Sequence, residues 1–144
     1  MKKIIPNSYS LLLFLALIST WGASCSKDSP KPEPKPEELI IGKWYVVKIT
    51  KADGTVQEPA NDCEKGSYYN FNDKNEIDMV NFYLDGGECK RSSGWGEYYV
   101  VDGGKKLVVT ASDGMTNTVN ILTLNASALE LNVMGDTMLL KKGS

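Results

Sequence analysis

Apolar residues recur at every second position along most of the chain beyond residue 40. Tyr69 and Phe71, Tyr98 and Val100, Leu107 and Val109, and Val119 and Ile121 repeat at period two. So do Leu129, Leu131 and Val133, and then Met138 and Leu140, with polar residues such as Asn120, Glu130 and Asn132 between them. This alternation describes strands with one face turned to a core. The runs it marks are 42–51, 67–72, 76–84, 96–102, 106–111, 115–124, 128–134 and 137–142. Between them stand Asp73-Lys74-Asn75, Gly103-Gly104, Asp113-Gly114 and Gly135-Asp136, which carry the turn chemistry of hairpins. The prediction is an all-β fold, an eight-stranded antiparallel up-and-down barrel that removes exposed sheet edges by closing. A two-sheet sandwich is the alternative. One short helical turn is expected over residues 36–41, where Glu37 and Glu38 suit the positive end of the helix dipole.

The segment before these strands has a different pattern. Lys2 and Lys3 precede an apolar run at 11–18 (LLLFLALI), and small residues Gly22, Ala23 and Ser24 follow. A charged start, a short apolar core and a small-residue exit describe a secretory signal peptide over 1–24. The run is too short for a membrane-spanning helix, which needs ~20 apolar residues. Cys25 follows at once, and Ala23-Ser24-Cys25 resembles the lipobox of bacterial lipoproteins, in which the cysteine is acylated and becomes the new N-terminus. Simple cleavage that leaves an ordinary cysteine is the alternative. In residues 25–36 Pro30, Pro32, Pro34 and Pro36 then alternate with Lys31, Glu33 and Lys35, a composition that stays near polyproline II. At ~3.1 Å per residue, residues 26–36 make a stalk ~34 Å long. Ser26-Lys27-Asp28 partly resembles the surface-export signal of Bacteroidetes lipoproteins. The expected location is thus the cell envelope, lipid-anchored at the outer membrane, on its surface or periplasmic face.

The third segment, 37–144, is large enough for one domain with one core. Removing residues 1–24 takes away Lys2 and Lys3 and no acid, leaving 14 basic against 18 acidic residues. Apart from two Lys-Lys pairs the bases are scattered, so no basic face exists for nucleic acid. In an oxidising envelope Cys63 and Cys89, left over once Cys25 carries lipid, read as a disulfide. Two free thiols are the alternative. A monomer is expected.

Gly42-Lys43-Trp44 after a short turn resembles the G-x-W motif of lipocalins. The order "LIIGKWYVV", "DCEKGSYYNF", "ECKRSSGWGEYYV", "KLVVTA" and "ALELNV" resembles the small lipocalin-like domains of Bacteroidetes envelope lipoproteins. The resemblance covers nearly all of the segment from Leu39 onward. It implies that Gly42 and Trp44 form the closed barrel base, the indole packing across it. It also implies a shorter barrel than the usual lipocalin. The family's arginine near the last strand, which packs on the tryptophan, has no counterpart. Lys141 and Lys142 are the nearest bases, and lysine lacks the planar group that stacks. Asp136-Thr137-Met138 resembles the O-glycosylation acceptor of Bacteroidetes envelope proteins, and Thr137 is expected at a hairpin tip.

The chain has no histidine, which removes Ser-His-Asp and Cys-His catalysis and histidine metal sites. Its glycine pairs sit in turns and do not form a phosphate loop. Asp62, Glu64, Glu88 and Glu97 are the carboxylates that acid–base chemistry would need to bring together; a solvated rim is the plainer reading. The Asn72–Glu76 turn (NDKNE) lacks the central glycine and the position-12 glutamate of a calcium loop. No enzyme activity, metal or cofactor is expected.

The expected function is binding of a small apolar or amphipathic ligand in the barrel mouth. Candidate lining residues are Tyr69, Phe71, Met79 and Tyr98, with Val109, Val119, Leu131 and Met138. Trp95 is expected nearby, and Lys48, Asn70 or Asn81 would orient a polar head. An eight-stranded barrel is either filled by side chains or holds one small ligand. The expectation is a filled base under a modest open mouth. The rival is an interaction module with a packed interior, whose loops bind an envelope protein or a glycan.

Overall fold

The computed structural model describes residues 32–143. The expected signal peptide, Cys25 and most of the proline-rich stalk lie outside these residues. From Glu33 onward the chain forms one unit with its own core. Pro32 to Lys35 are exposed and without regular structure. Helix α1, Pro36–Leu39, follows with proline in its first turn, where the missing N–H costs nothing.

Nine strands follow: β1 Gly42–Thr50, β2 Val56–Gln57, β3 Tyr68–Phe71, β4 Glu76–Asp85, β5 Glu88–Val101, β6 Lys106–Ala111, β7 Thr116–Leu124, β8 Ala128–Val133 and β9 Asp136–Lys142. From β3 to β9 each strand pairs antiparallel with the next, and β1 pairs with both β3 and β9. The pairing of β1 with β9 closes eight strands into a barrel, as the alternation predicts. The two-residue β2 is an addition, paired only with the end of β1.

Two bulges keep the inward set in register. One residue is inserted at Val47 against β9 and one at Leu122 against β8. A one-residue slip reverses the faces of a strand, so Val46 and Ile49 both point inward, as do Ile121 and Leu124, whereas Leu122 is left exposed.

The core is densest at the end where β1 begins. Ile40, Trp44, Phe71, Ile77, Leu107, Leu129 and Leu140 are almost wholly buried there. All the period-two residues named above belong to this core or pack against it. The opposite end, where β1 runs out and β9 begins, is the mouth.

The largest departure from the alternation is at β5. It starts at Glu88, not near residue 96, and pairs with β4 from Asp85↔Glu88 to Glu76↔Glu97. β6 joins β5 only from Gly96 onward. The tip of β4 and residues 88–95 thus form a two-stranded ribbon beyond the wall, exposed along residues 83–95. Gly86 and Gly87 turn it with φ of 61° and 84°, the two positive values a type I′ hairpin needs. The Cys63–Cys89 disulfide, closed at a Cα separation of 5.7 Å, ties this ribbon to the loop before β3.

The last hairpin also differs. Its turn is Met134-Gly135, with Met134 at φ 53°, so Asp136 and Thr137 belong to β9. Thr137 is half-buried between Thr50 and Asn132. It does not sit at the hairpin tip where it was expected.

Candidate functional site

The closed base is built around Trp44. Its Nε1 donates a buried hydrogen bond of 2.6 Å to the Ile40 carbonyl, so the residue just after α1 satisfies the indole. Lys142, its partner across β1–β9, donates from Nζ to the Leu39 carbonyl at 2.8 Å and lies 5.0 Å from the Trp44 ring centroid. The last carbonyls of a helix have no partner of their own, and a cation is favoured there. Burial pushes the Lys142 ammonium below the usual lysine value, and the carbonyl and the indole face offset that cost. Gly42 has φ 126°, and a Cβ there would come within 2.8 Å of Lys142 Cε. The glycine is needed both for its backbone and for the lysine stem beside it.

Above the base Phe71 and Tyr98 meet edge to face, 4.9 Å between centroids at 85°. The Tyr98 hydroxyl donates to the Asn72 carbonyl at 2.8 Å. Burial, and then the charge of Asp73, push its pKa up. Tyr98 is therefore part of the floor.

A cavity of about 290 Å³ lies over this floor and reaches the mouth at Met134 and Asn117. Seven of the eight residues expected to line a ligand site meet in it: Tyr69, Phe71, Met79, Val109, Val119, Leu131 and Met138. The eighth, Tyr98, lies beneath them. Ile77, Leu107 and Val133 also line it; Leu107 and Val133 carry the period-two signal given above, and Ile77 lies two residues before Met79 on the same face of β4.

Two further cavities adjoin the first. β3 stops at Tyr68, and the upper half of β4 pairs only with β5, so no strand stands between that half and β2. A window of about 300 Å³ opens in this gap, floored by Val46, Ile49, Tyr69 and Met138 and rimmed by Gln57, Glu58, Glu64 and Asn81. A third space of about 280 Å³ lies beside Tyr69, Met79 and Ser92. Tyr69 touches all three, and burial raises the pKa of its hydroxyl. Ser67 fixes the window edge: its Oγ accepts from Phe82 N at 2.9 Å and lies 3.3 Å from Asn81 Oδ1.

Several expected polar partners lie elsewhere. Lys48 follows the Val47 bulge and pairs with Leu139, on the outer face. Asn70 is also outside, bonded to Asp78 at 3.3 Å. Trp95 is 60% exposed on the outer wall opposite Asp78. Of the three head-group candidates only Asn81 borders one of these three cavities. The four carboxylates near the cysteines do not converge. Asp62 pairs with Lys65, Glu64 accepts from Ala60 N and Asn61 Nδ2, Glu88 is at the ribbon tip, and Glu97 faces Glu76 on the outer wall.

Solved structures share this architecture. A lipocalin-like protein from Bacteroides uniformis superposes with a TM-score of 0.57 at 20% identity, covering 72% of this chain and 97% of its own. An uncharacterized protein from Bacteroides eggerthii gives a TM-score of 0.55 at 16% identity, covering 72% and 98%. No curated protein matches the sequence. The sequence profile of the lipocalin-like domain matches residues 40–131, from the base residue Ile40 to the cavity residue Leu131, and the chain belongs to that family.

Proposed function

We propose that this barrel is a non-enzymatic binding module that takes one small apolar or amphipathic ligand through its open end. In this reading a lipid on Cys25 and the proline-rich segment after it hold the barrel at a bacterial envelope membrane. The cavity over the Phe71–Tyr98 floor carries the binding reading. At about 290 Å³ it is near the lower end of small-molecule sites, which are concave and mostly apolar with a few polar groups. Burying a ligand's apolar surface there contributes roughly 25 cal/mol per Å². Two acyl chains or more on Cys25 would make the attachment lasting, as one chain alone does not.

The rival, an interaction module for an envelope protein or glycan, draws on the projecting ribbon, whose residues 88–95 pair with one strand only. A native mass spectrum separates the two readings. The purified protein, produced in an oxidising compartment, is exposed to envelope lipid extract. A reproducible small-mass adduct, abolished by narrowing the cavity at Val109, supports the carrier. A clean apo mass in both conditions moves the function to the ribbon and loops.

A further inference from the structure

The side window gives the proposed ligand a polar end, and its lining limits what that end is. It adjoins the apolar chamber at Tyr69 and Met138, which border both. Its rim carries two carboxylates, Glu58 and Glu64. The Glu64 carboxylate is set in place by Ala60 N and Asn61 Nδ2, each at 2.8 Å, while Glu58 has no ion pair among the described residues. The remaining polar groups, Gln57, Ser67 and Asn81, are neutral.

No lysine or arginine lines the window, the chamber or the space beside Ser92. The lysines nearest the mouth already face acids: Lys51 on Asp136 at 2.8 Å, Lys65 on Asp62 at 2.8 Å and Lys90 on Asp85 at 3.3 Å. Lys48 points to the outer face. A ligand with its chain over Tyr69 and Met138 therefore presents its head to two carboxylates and to neutral groups that can donate or accept. A carboxylate or phosphate head would meet like charge with no cation in the window lining to offset it, whereas an ammonium would gain a partner.

We infer that this site selects amphipathic amines, an apolar chain in the chamber and a cationic head at Glu58 and Glu64, over anionic amphiphiles of the same chain. The inference rests on the binding reading above and names its ligand class.

Matched probes test it: dodecylamine, dodecanol and dodecanoate, titrated by calorimetry into the purified protein below their micelle-forming concentrations. The expected order is amine, then alcohol, then carboxylate, with about tenfold between the ends, the scale of a few partly exposed charge interactions. Glu58→Gln should narrow the amine-to-carboxylate ratio and leave dodecanol affinity unchanged. Glu97→Gln, on the outer wall, should leave the ratio as it is. Equal or tighter binding of dodecanoate overturns the inference while leaving an apolar carrier standing. A ratio that moves equally with Glu97→Gln also overturns it, because the preference then belongs to the acidic protein as a whole. Failure of all three probes to bind overturns the binding reading and the amine preference together.

Discussion

The ammonium of Lys142 sits 5.0 Å from the centre of the Trp44 ring and donates to the Leu39 carbonyl, joining the last strand to the helix that closes the barrel. The sequence offers no arginine for this place, and lysine cannot stack its head on an indole. It can still supply a point charge over the ring face, worth about 0.5–2 kcal/mol according to exposure. Gly42 makes room for the lysine stem. Glycine, tryptophan and lysine thus form one unit at the base.

Two substitutions should separate the parts of that unit. Trp44→Ala leaves a cavity in the most buried part of the core and is expected to cost about 3–5 kcal/mol. Lys142→Met keeps most of the volume but loses the charge and the carbonyl bond; about 1 kcal/mol is expected. Chemical denaturation of both variants checks the order. A Trp44→Ala protein as stable as the parent would remove the indole from the base.

The disulfide should act locally as well as globally. Closing a loop with a sequence separation of 26 stabilises by about 3.5 kcal/mol on the chain-entropy account. The bridge also holds the turn Glu64–Gly66 against the outer side of the ribbon, where a Cβ on Gly66 would lie 3.3 Å from the Phe82 ring. The double variant Cys63→Ser, Cys89→Ser is expected to lower stability and to speed amide exchange in residues 58–67 and 82–93 more than in the β7–β9 wall. Uniform acceleration across the barrel would argue that the bridge does nothing special for the window.

Acid should loosen the mouth before the base. Asp136 binds Lys51 Nζ at 2.8 Å and Ala52 N at 3.1 Å. The hydrogen bond from Lys51, and then that from Ala52, hold its carboxyl below the ordinary 3.8 despite some desolvation. A depressed folded-state value means that its contribution is present above about pH 4 and is lost as pH falls through the folded-state value. Asp136→Asn should therefore flatten part of the acid limb of the melting profile and leave the rest. Asp53 and Asp62 are lowered in the same way, by Thr55 and Lys65 respectively. An acid limb unchanged by the substitution would show that the pair contributes nothing.

Narrowing the chamber should block it without unfolding the barrel. Val109 lines the cavity partway up β6, and a phenylalanine there has empty space to enter. Val109→Phe is expected to weaken binding of an apolar probe such as N-phenylnaphthylamine about tenfold, with a melting midpoint close to the parent's. Fluorescence titration beside a thermal melt reads both quantities. Undiminished probe affinity would place the probe outside the chamber.

What the sequence makes legible follows from which residues answer to one physical demand. The inward strand positions must be apolar at period two, so Leu129, Leu131 and Val133 or Met138 and Leu140 can be read directly, and seven cavity residues with them. The first half of β5 answers to no such demand. Glu88-Cys89-Lys90-Arg91-Ser92-Ser93 belongs to a ribbon with no barrel core beneath it, so no alternation appears. Lys48 faces outward, against the alternation, because the Val47 bulge shifts the faces by one residue, and a bulge in β-branched sequence leaves no composition mark. Alternation puts Tyr98 on the same face as the cavity residues; depth along the barrel, which makes it floor, comes from strand stagger. The window is harder still, since it exists because β3 is short and β2 does not reach β4.

The central claim is a hollow upper half over a filled base, and the methionines report on it directly. Met79 and Met138 line the chamber, Met134 stands at its rim, and Met115 lies exposed in the β6–β7 turn outside it. Methyl-labelled methionine spectra, recorded while N-phenylnaphthylamine is added, should show saturable shifts at Met79 and Met138, a smaller one at Met134, and none at Met115. Shifts confined to Met115, or none at any methionine while the probe binds, would contradict the account.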